Sequence, residues 1–232
     1  MTDEPIQIGM VLFPELTQLD LTGPFEVFAR LPNAEVHLIW KELEPVRSDV
    51  GLCILPTTTF EECPDLDVIC IPGGPGMNAL LNDEAVLAFV AAQGRGARYI
   101  TSVCTGALVL GAAGLLNGYR AATHWASMPF LEQFGATAVD ERVCIDRNRI
   151  TGGGVTAGID FGLAVAAALS DKVTAQRIQL YMEYAPAPPF DAGSPKTAPA
   201  EVVNAFRAFA APMLETRKSA VETAAARLRQ SL

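Results

Sequence analysis

Short apolar runs alternate with segments of helical spacing along most of this chain, and this alternation limits its fold more than any other feature. Apolar runs with the length of buried strands occupy residues 6–12, 35–40, 67–71 and 98–103. Helical spacing follows over residues 23–31, 83–93, 105–116, 157–169, 172–183 and from 201 onward. This order predicts an α/β fold in which a mostly parallel central sheet is covered by helices on both faces.

The remaining segments predict hairpins and one irregular stretch. Three of them have the pattern of a hairpin or a short strand: 46–59 with a turn at 48–51, 120–123, and 139–151 with a turn at 146–148. Pro24 fits the first turn of its helix, and the proline-rich segment 185–199 predicts an irregular loop. With no internal repeat or linker, we expect one domain over residues 1–232, with this loop and a helical extension from about residue 185.

Three predicted strands continue into segments that carry reactive or flexible residues. These segments are the loop after Leu12, the glycine-rich loop after Ile71 and the turn at Cys104. Ligands of open α/β sheets bind in the crevice at the carboxyl ends of the strands. We therefore expect the three segments to converge on the functional site.

Cys104 lies where a β-branched strand gives way to small residues and then to a helical apolar pattern, in YITSVCTGALVL. This is the nucleophile-elbow arrangement, with a thiol in place of a serine hydroxyl. The positive end of the helix dipole favours a thiolate, so the sequence predicts a lowered pKa and a reactive sulfur. The alternative is an inert buried cysteine, which is the interpretation preferred for the others, Cys53, Cys63, Cys70 and Cys144.

The glycine-rich loop over residues 72–76 reads Pro-Gly-Gly-Pro-Gly. Its glycines allow the backbone to approach a ligand closely, so the N–H groups of Gly73 and Gly74, together with that of Thr105, predict an anion-stabilising set. The alternative is an ordinary turn between a strand and a helix. The loop lacks the spacings of dinucleotide and P-loop sites, so neither is predicted.

Asp20 and His124 are the remaining candidates for chemistry. Asp20 lies between leucines shortly after the first strand, where it is either a helix N-cap or a partly desolvated acid that exchanges a proton with a thiol. His124 follows a short strand and is either the base partner of Cys104 or a packed, hydrogen-bonded histidine beside Trp125.

Charge and composition exclude several classes of partner. A net charge of −9 without a basic stripe argues against nucleic acid, and no apolar run approaches the roughly 20 residues that span a bilayer. An acidic N-terminus without a signal-like stretch predicts the cytoplasm. With only His37 and His124 in the chain and no metal-binding spacing, we expect no metal. We expect no cofactor either, since the dinucleotide and P-loop spacings are lacking. The cations of the C-terminal helix, Arg217 among them, are expected on a solvated or subunit-facing surface.

Four segments together resemble the ThiJ/PfpI superfamily, whose flavodoxin-like sandwich is similar to class I glutamine amidotransferases. They are residues 13–28, 66–76, 99–125 and 150–163. The extension YAPAPPFDAGSPKTAP is similar to that of the isocyanide hydratase branch. The resemblance places the family's nucleophile on Cys104 and its acid on Asp20. Because Thr105 follows the cysteine where protease and amidotransferase members tend to have histidine, a Cys-His protease mechanism is disfavoured.

This resemblance implies hydration of a small isonitrile to an N-substituted formamide. Cys104 would attack the isonitrile carbon, Asp20 would protonate it, and water would release the product from a covalent thioimidate, with Thr105 assisting through its hydroxyl. The resemblance also implies a homodimer. Alternatives are another activity of the superfamily, such as deglycase, glyoxalase or amidotransferase, a cysteine redox sensor, or a ligand sensor like that of AraC-type regulators. The regulators carry a further DNA-binding unit, for which the residues after the proline-rich loop are too few.

Overall fold

The structure, a computed structural model, describes residues 4–230. Its strands are β1 (Ile6–Val11), β2 (Ala34–Trp40), β3 (Val46–Arg47), β4 (Cys53–Ile54), β5 (Thr58–Thr59), β6 (Val68–Ile71), β7 (Tyr99–Val103), β8 (Arg120–Ala121), β9 (Thr137–Ala138), β10 (Val143–Asp146) and β11 (Arg149–Gly152). Its α-helices are α1 (Gln18–Phe28), α2 (Met77–Leu80), α3 (Glu84–Gly96), α4 (Gly106–Ala112), α5 (Met128–Leu131), α6 (Ala157–Leu169), α7 (Lys172–Tyr181) and α8 (Ala200–Gln230).

Seven strands form the central sheet, in the order β10-β11-β7-β6-β1-β2-β5. Every neighbouring pair is parallel except β10 and β11, which form the predicted hairpin. The register places Ile71 beside Ser102 and Val103 beside Gly152, so β6, β7 and β11 end together at one edge. The loop after Ile71 and the turn at Cys104 therefore leave the sheet as neighbours.

The helices form two groups that cover the two faces of the sheet. Helix α6 packs against α1 and α7. In the other group, α8 packs against α2 and α4, and α4 also contacts α3 and α5. All four residues of β6 and the last four of both β1 and β7 are buried, as expected for parallel strands covered on both faces. The predicted α/β fold with a mostly parallel sheet is thus confirmed.

Several predicted elements differ in detail. Helix α1 begins at Gln18, so Pro24 lies inside the helix and not in its first turn. Its ring packs against α6 at Gly158, where a Cβ atom would lie 3.1 Å from the proline Cδ. Helix α4 is shorter than predicted because Gly114 turns the chain with a φ of +78°. Strands β3 and β4 pair around the predicted turn, but β5 leaves that hairpin and joins the central sheet beside β2.

The segment 185–199 has no regular secondary structure, as predicted, and leads into the 31-residue helix α8. One side of α8 is buried against the rest of the fold, through Ala210, Arg217, Val221 and Ala224. Within residues 4–230, no helix combines the length and the apolar character needed to cross a membrane.

Candidate active site

Cys104 forms the predicted turn between β7 and α4. Its φ of 55° is in the left-handed region, which a residue with a side chain adopts at a cost in free energy. The surrounding backbone holds this conformation, because the Cys104 N–H donates to the carbonyl oxygens of Gly152 at 3.0 Å and Gly153 at 2.8 Å. The Thr123 hydroxyl also donates to the Cys104 carbonyl at 2.8 Å. The turn is a nucleophile elbow in its backbone geometry.

Asp20 lies next to Cys104, in the first turn of α1. The N-cap of this helix is Thr17, so the interpretation of Asp20 as a cap is wrong. The Asp20 side chain is fully buried, and its Oδ2 accepts the Gly73 N–H at 3.0 Å. The other carboxyl oxygen of Asp20, Oδ1, has no hydrogen-bond partner of ordinary geometry among residues 4–230. The carboxyl group does interact with the Cys104 thiol. The structure therefore brings the predicted acid and the predicted nucleophile together.

Burial sets the protonation of Asp20. Loss of solvent raises the pKa of this carboxyl group to about 7, although the hydrogen bonds from the Cys104 thiol and the Gly73 N–H favour the ionised form. The negative charge of Asp49 raises the pKa further. Asp20 can thus gain or lose a proton near neutral pH, as a general acid and base must.

The predicted low pKa of Cys104 is wrong. Burial raises the pKa of the thiol well above its usual value, and the Asp20 carboxylate raises it further. The Thr105 N–H and the positive charge of Arg217 act in the opposite direction, but they do not overcome burial. A thiolate in this setting is best formed by transfer of the proton to Asp20, since both groups then share a single negative charge.

The glycine-rich loop contacts both Asp20 and Thr105. The Gly73 N–H donates to Asp20, and the Gly74 N–H donates to the Thr105 hydroxyl at 3.1 Å. A Cβ atom on Gly73 would lie 2.6 Å from both Asp20 Oδ2 and the Thr105 nitrogen, so only glycine fits there. The sequence predicted that these N–H groups face a bound substrate. In the structure they hold the two side chains instead, and a role toward a substrate stays a prediction.

A cavity of about 370 Å³ opens in front of Cys104. It is of a size that suits a small molecule. Asp20 is not part of its lining and approaches the thiol from the protein side. A larger surface cleft of about 660 Å³, between α1 and α7, shares no residue with this cavity. The lining residues are Thr17, Asp49, Gly74, Pro75, Cys104, Thr105, His124, Val155, Phe206, Phe209, Ala210, Met213 and Arg217.

His124 lines the cavity but makes no hydrogen bond to Cys104 among the bonds of the described residues. Its Nδ1 accepts the Ala126 N–H at 3.3 Å, and its ring lies near those of Trp125 and Phe206. Burial lowers the pKa of His124 to about 4, with a further contribution from Arg217. The imidazole is therefore neutral near pH 7, which favours the packed, hydrogen-bonded interpretation.

Arg217 is the residue that the sequence reasoning missed. It was expected on a solvated or subunit-facing surface of the C-terminal helix, yet it is only 2% exposed and lines the cavity beside Cys104. A signal was present, because Arg217 lies four residues before Val221 and seven before Ala224, on the same face of the helix. In the part of the chain that the structure describes, no group of three metal-ligating side chains is found.

The comparisons with known proteins agree with this geometry. An isonitrile hydratase of Pseudomonas putida is 58% identical over 223 residues, which are 96% of this chain and 98% of that protein. The crystal structure of a ThiJ/PfpI family protein from Pseudomonas syringae has 49% identity and a TM-score of 0.92, covering 94% of this chain and 90% of that one. The HTH-type transcriptional regulator GbdR of Pseudomonas aeruginosa is 31% identical over 75% of this chain, which spans 52% of the regulator.

The family model described as the DJ-1/PfpI family matches residues 7–168, which include Asp20, both loop glycines and Cys104. This match covers more than half of the chain, and it coincides with the sheet and with the elbow that bears the thiol. The chain belongs to the DJ-1/PfpI family.

Proposed function

We propose that this chain is an isonitrile hydratase, a hydro-lyase that adds water to an isonitrile and releases an N-substituted formamide. The observation that carries the proposal is the 58% identity, over nearly the whole of both chains, with an isonitrile hydratase. The buried Asp20 and Cys104 pair supports it chemically. An isonitrile carbon accepts a nucleophile and then a proton. In this pair, Cys104 is the nucleophile and Asp20 carries the proton.

In the proposed reaction, the Cys104 thiol passes its proton to Asp20, and the thiolate attacks the terminal isonitrile carbon. Asp20 then protonates that carbon, which gives a thioimidate with a new C–S bond. Water adds to the same carbon, with its hydroxyl on carbon and its other proton on nitrogen. The C–S bond breaks as the hydroxyl proton passes to the Asp20 carboxylate, and the formamide leaves with the pair restored.

The other cavity residues have supporting roles in this proposal. The Thr105 hydroxyl, which accepts the Gly74 N–H, lies at the cavity wall and assists the addition of water. The Gly73 and Gly74 N–H groups keep Asp20 and Thr105 in position. Phe206, with the other apolar residues of the lining, favours a substrate whose group on nitrogen is apolar.

The test is formation of formamide from an aryl isonitrile such as para-nitrophenyl isonitrile, followed by chromatography of substrate and product. We expect catalytic turnover without added metal or cofactor. A folded protein that turns over neither aryl nor alkyl isonitriles would contradict the proposal. The match to a transcriptional regulator gives a second candidate, a sensor, which would bind such a ligand without releasing formamide.

We also propose that the protein is a cytoplasmic homodimer. Its five free thiols suit a reducing compartment, and two-fold dimers are the commonest assemblies. Phe209 on α8 is 83% exposed beside the cavity, where a second copy of the chain would cover it. Light scattering at micromolar concentration should give twice the monomer mass of 24.7 kDa, and a value equal to the monomer mass would refute the dimer.

A further inference from the structure

Arg217 is a buried cation with no carboxylate partner. Only 2% of the residue is exposed, and no ion pair joins it to any acidic side chain within residues 4–230. Burial lowers the pKa of its guanidinium group, but an arginine side chain keeps its proton in proteins. A buried positive charge is costly unless a negative charge compensates it. Arg217 therefore needs an anion that the ion pairs of the fold do not supply.

Neutral groups hold Arg217 in a fixed position. Its Nε donates to Asn78 Oδ1 at 3.0 Å, one terminal nitrogen donates to Ser127 Oγ at 2.7 Å, and the other contacts Met213 Sδ at 2.8 Å. These three contacts use three of the five N–H groups of a guanidinium. They fix the side chain from α2, from the short helical turn before α5 and from α8 itself, but they leave its charge uncompensated.

Arg217 acts on two titratable groups of the cavity, because it helps to hold His124 in its neutral form and favours the thiolate of Cys104. Arg217 and Cys104 line the same cavity, and their charges interact in a way that favours the thiolate. Arg217 is not among the groups that shift the pKa of Asp20, which are burial, Cys104, Gly73 and Asp49. The positive charge thus acts on one member of the pair and favours the arrangement with the proton on Asp20 and the negative charge on sulfur.

We infer that Arg217 is a positioning residue that supplies the counter-charge of the Cys104 thiolate. This inference rests on the proposed function only in taking Cys104 as the nucleophile. The other charged or titratable groups around the thiol do not supply a positive charge. Asp20, from α1, opposes the thiolate, Asp49, from the turn after β3, lines the cavity and acts on Asp20, and His124 is neutral. Within the described chain, Arg217 is the only cationic side chain of the cavity lining.

The test measures the reactivity of Cys104 directly, without an isonitrile. Iodoacetamide is added over a range of pH, and alkylation is followed by mass spectrometry of the tryptic peptide 99–120, in which Cys104 is the only cysteine. In Arg217→Met, alkylation at pH 7.5 should be at least about tenfold slower, and its pH profile should move to higher pH, because a nearby positive charge is lost in a buried site.

A second variant removes the charge effect while it keeps the arginine. Asn78→Asp places a carboxylate where the amide oxygen now accepts the Nε proton at 3.0 Å. The hydrogen bond stays, but the new ion pair neutralises Arg217, so alkylation should slow in the same direction by a smaller factor. A structural role for Arg217 predicts no change in this variant.

Lys218→Met is the matched control, because it removes one positive charge from the next residue of α8, where the side chain is exposed. Its alkylation profile should coincide with that of the wild type. Superimposable profiles for wild type and Asn78→Asp would overturn the inference, whether or not Arg217→Met folds. Because no isonitrile is used, a protein that failed to hydrate isonitriles could still show the predicted shift, so the two proposals fail separately.

Discussion

Cys104→Ala should reduce isonitrile hydration to less than about 10⁻⁴ of the wild-type rate, since loss of a nucleophile removes the covalent route altogether. The fold should survive, because the side chain is small and the turn is held by backbone bonds to Gly152 and Gly153. Steady-state formamide formation measures the loss. Circular dichroism and melting temperature establish that the variant is folded.

Cys144→Ala is a matched control for Cys104→Ala. Cys144 is also fully buried, but it lies on β10 and does not line the cavity, so its removal leaves a similar void without touching the chemistry. We expect it to keep most of the wild-type activity. A folded Cys104→Ala enzyme within a factor of about ten of wild type would end the covalent hypothesis.

Asp20→Asn should lower kcat by roughly two to four powers of ten, the usual effect of removing a general acid and base. Asparagine can still accept the Gly73 N–H, but it cannot carry a proton between sulfur, carbon and water. Because the N-cap position of α1 is Thr17 and not Asp20, the activity loss cannot come from a missing helix cap. Asp20→Glu restores the carboxyl group with a longer reach, so we expect partial activity there.

The same substitution should change how stability depends on pH. The pKa of Asp20 is raised from 3.8 to about 7, so the folded protein holds this proton more tightly than the unfolded chain. The resulting stabilisation is fully present below pH 3.8 and is lost as the pH rises through about 7. At higher pH the wild type carries a buried carboxylate, at a cost on the order of a few kcal/mol.

Asparagine never ionises, so Asp20→Asn should melt several degrees above the wild type at pH 9 but close to it at pH 4. Thermal unfolding of both proteins at several pH values measures this difference. An equal response of the two melting temperatures to pH would show that Asp20 is already ionised in the folded protein. An Asp20→Asn enzyme within about threefold of wild-type kcat would leave Cys104 without its acid.

Local patterns predicted what depends on local geometry. The β-branched run before Cys104 and the small residues after it predicted the elbow, because strand and helix preferences act over a few residues. Likewise, the alternation of apolar runs and helical segments predicted the parallel sheet. The length of α4 was overestimated, since the end of the helix depends on the backbone conformation at Gly114.

Properties of the site that depend on distant residues could not be predicted in this way. The sequence around Asp20 resembled a helix cap. The burial of Asp20 depends on the whole fold, and its hydrogen bond to Gly73 joins residues 53 positions apart. The pKa of Cys104 was predicted from the helix dipole alone, whereas burial and Asp20 dominate in the fold. Arg217 reaches the cavity from a helix that begins at Ala200, and its contact with Ser127 spans 90 positions.

Helix α8 supplies most of the apolar wall of the cavity, while the elbow and its acid lie much earlier in the chain. Phe206, Phe209, Ala210, Met213 and Arg217 all come from this helix, while the matched family segment ends at residue 168. Substitutions at Phe206, Phe209 and Ala210 can therefore reshape this wall without altering the elbow, its acid or the counter-charge of Arg217. These three positions are where directed evolution of substrate range should begin, whereas Arg217 on the same helix should be kept because its charge acts on the nucleophile.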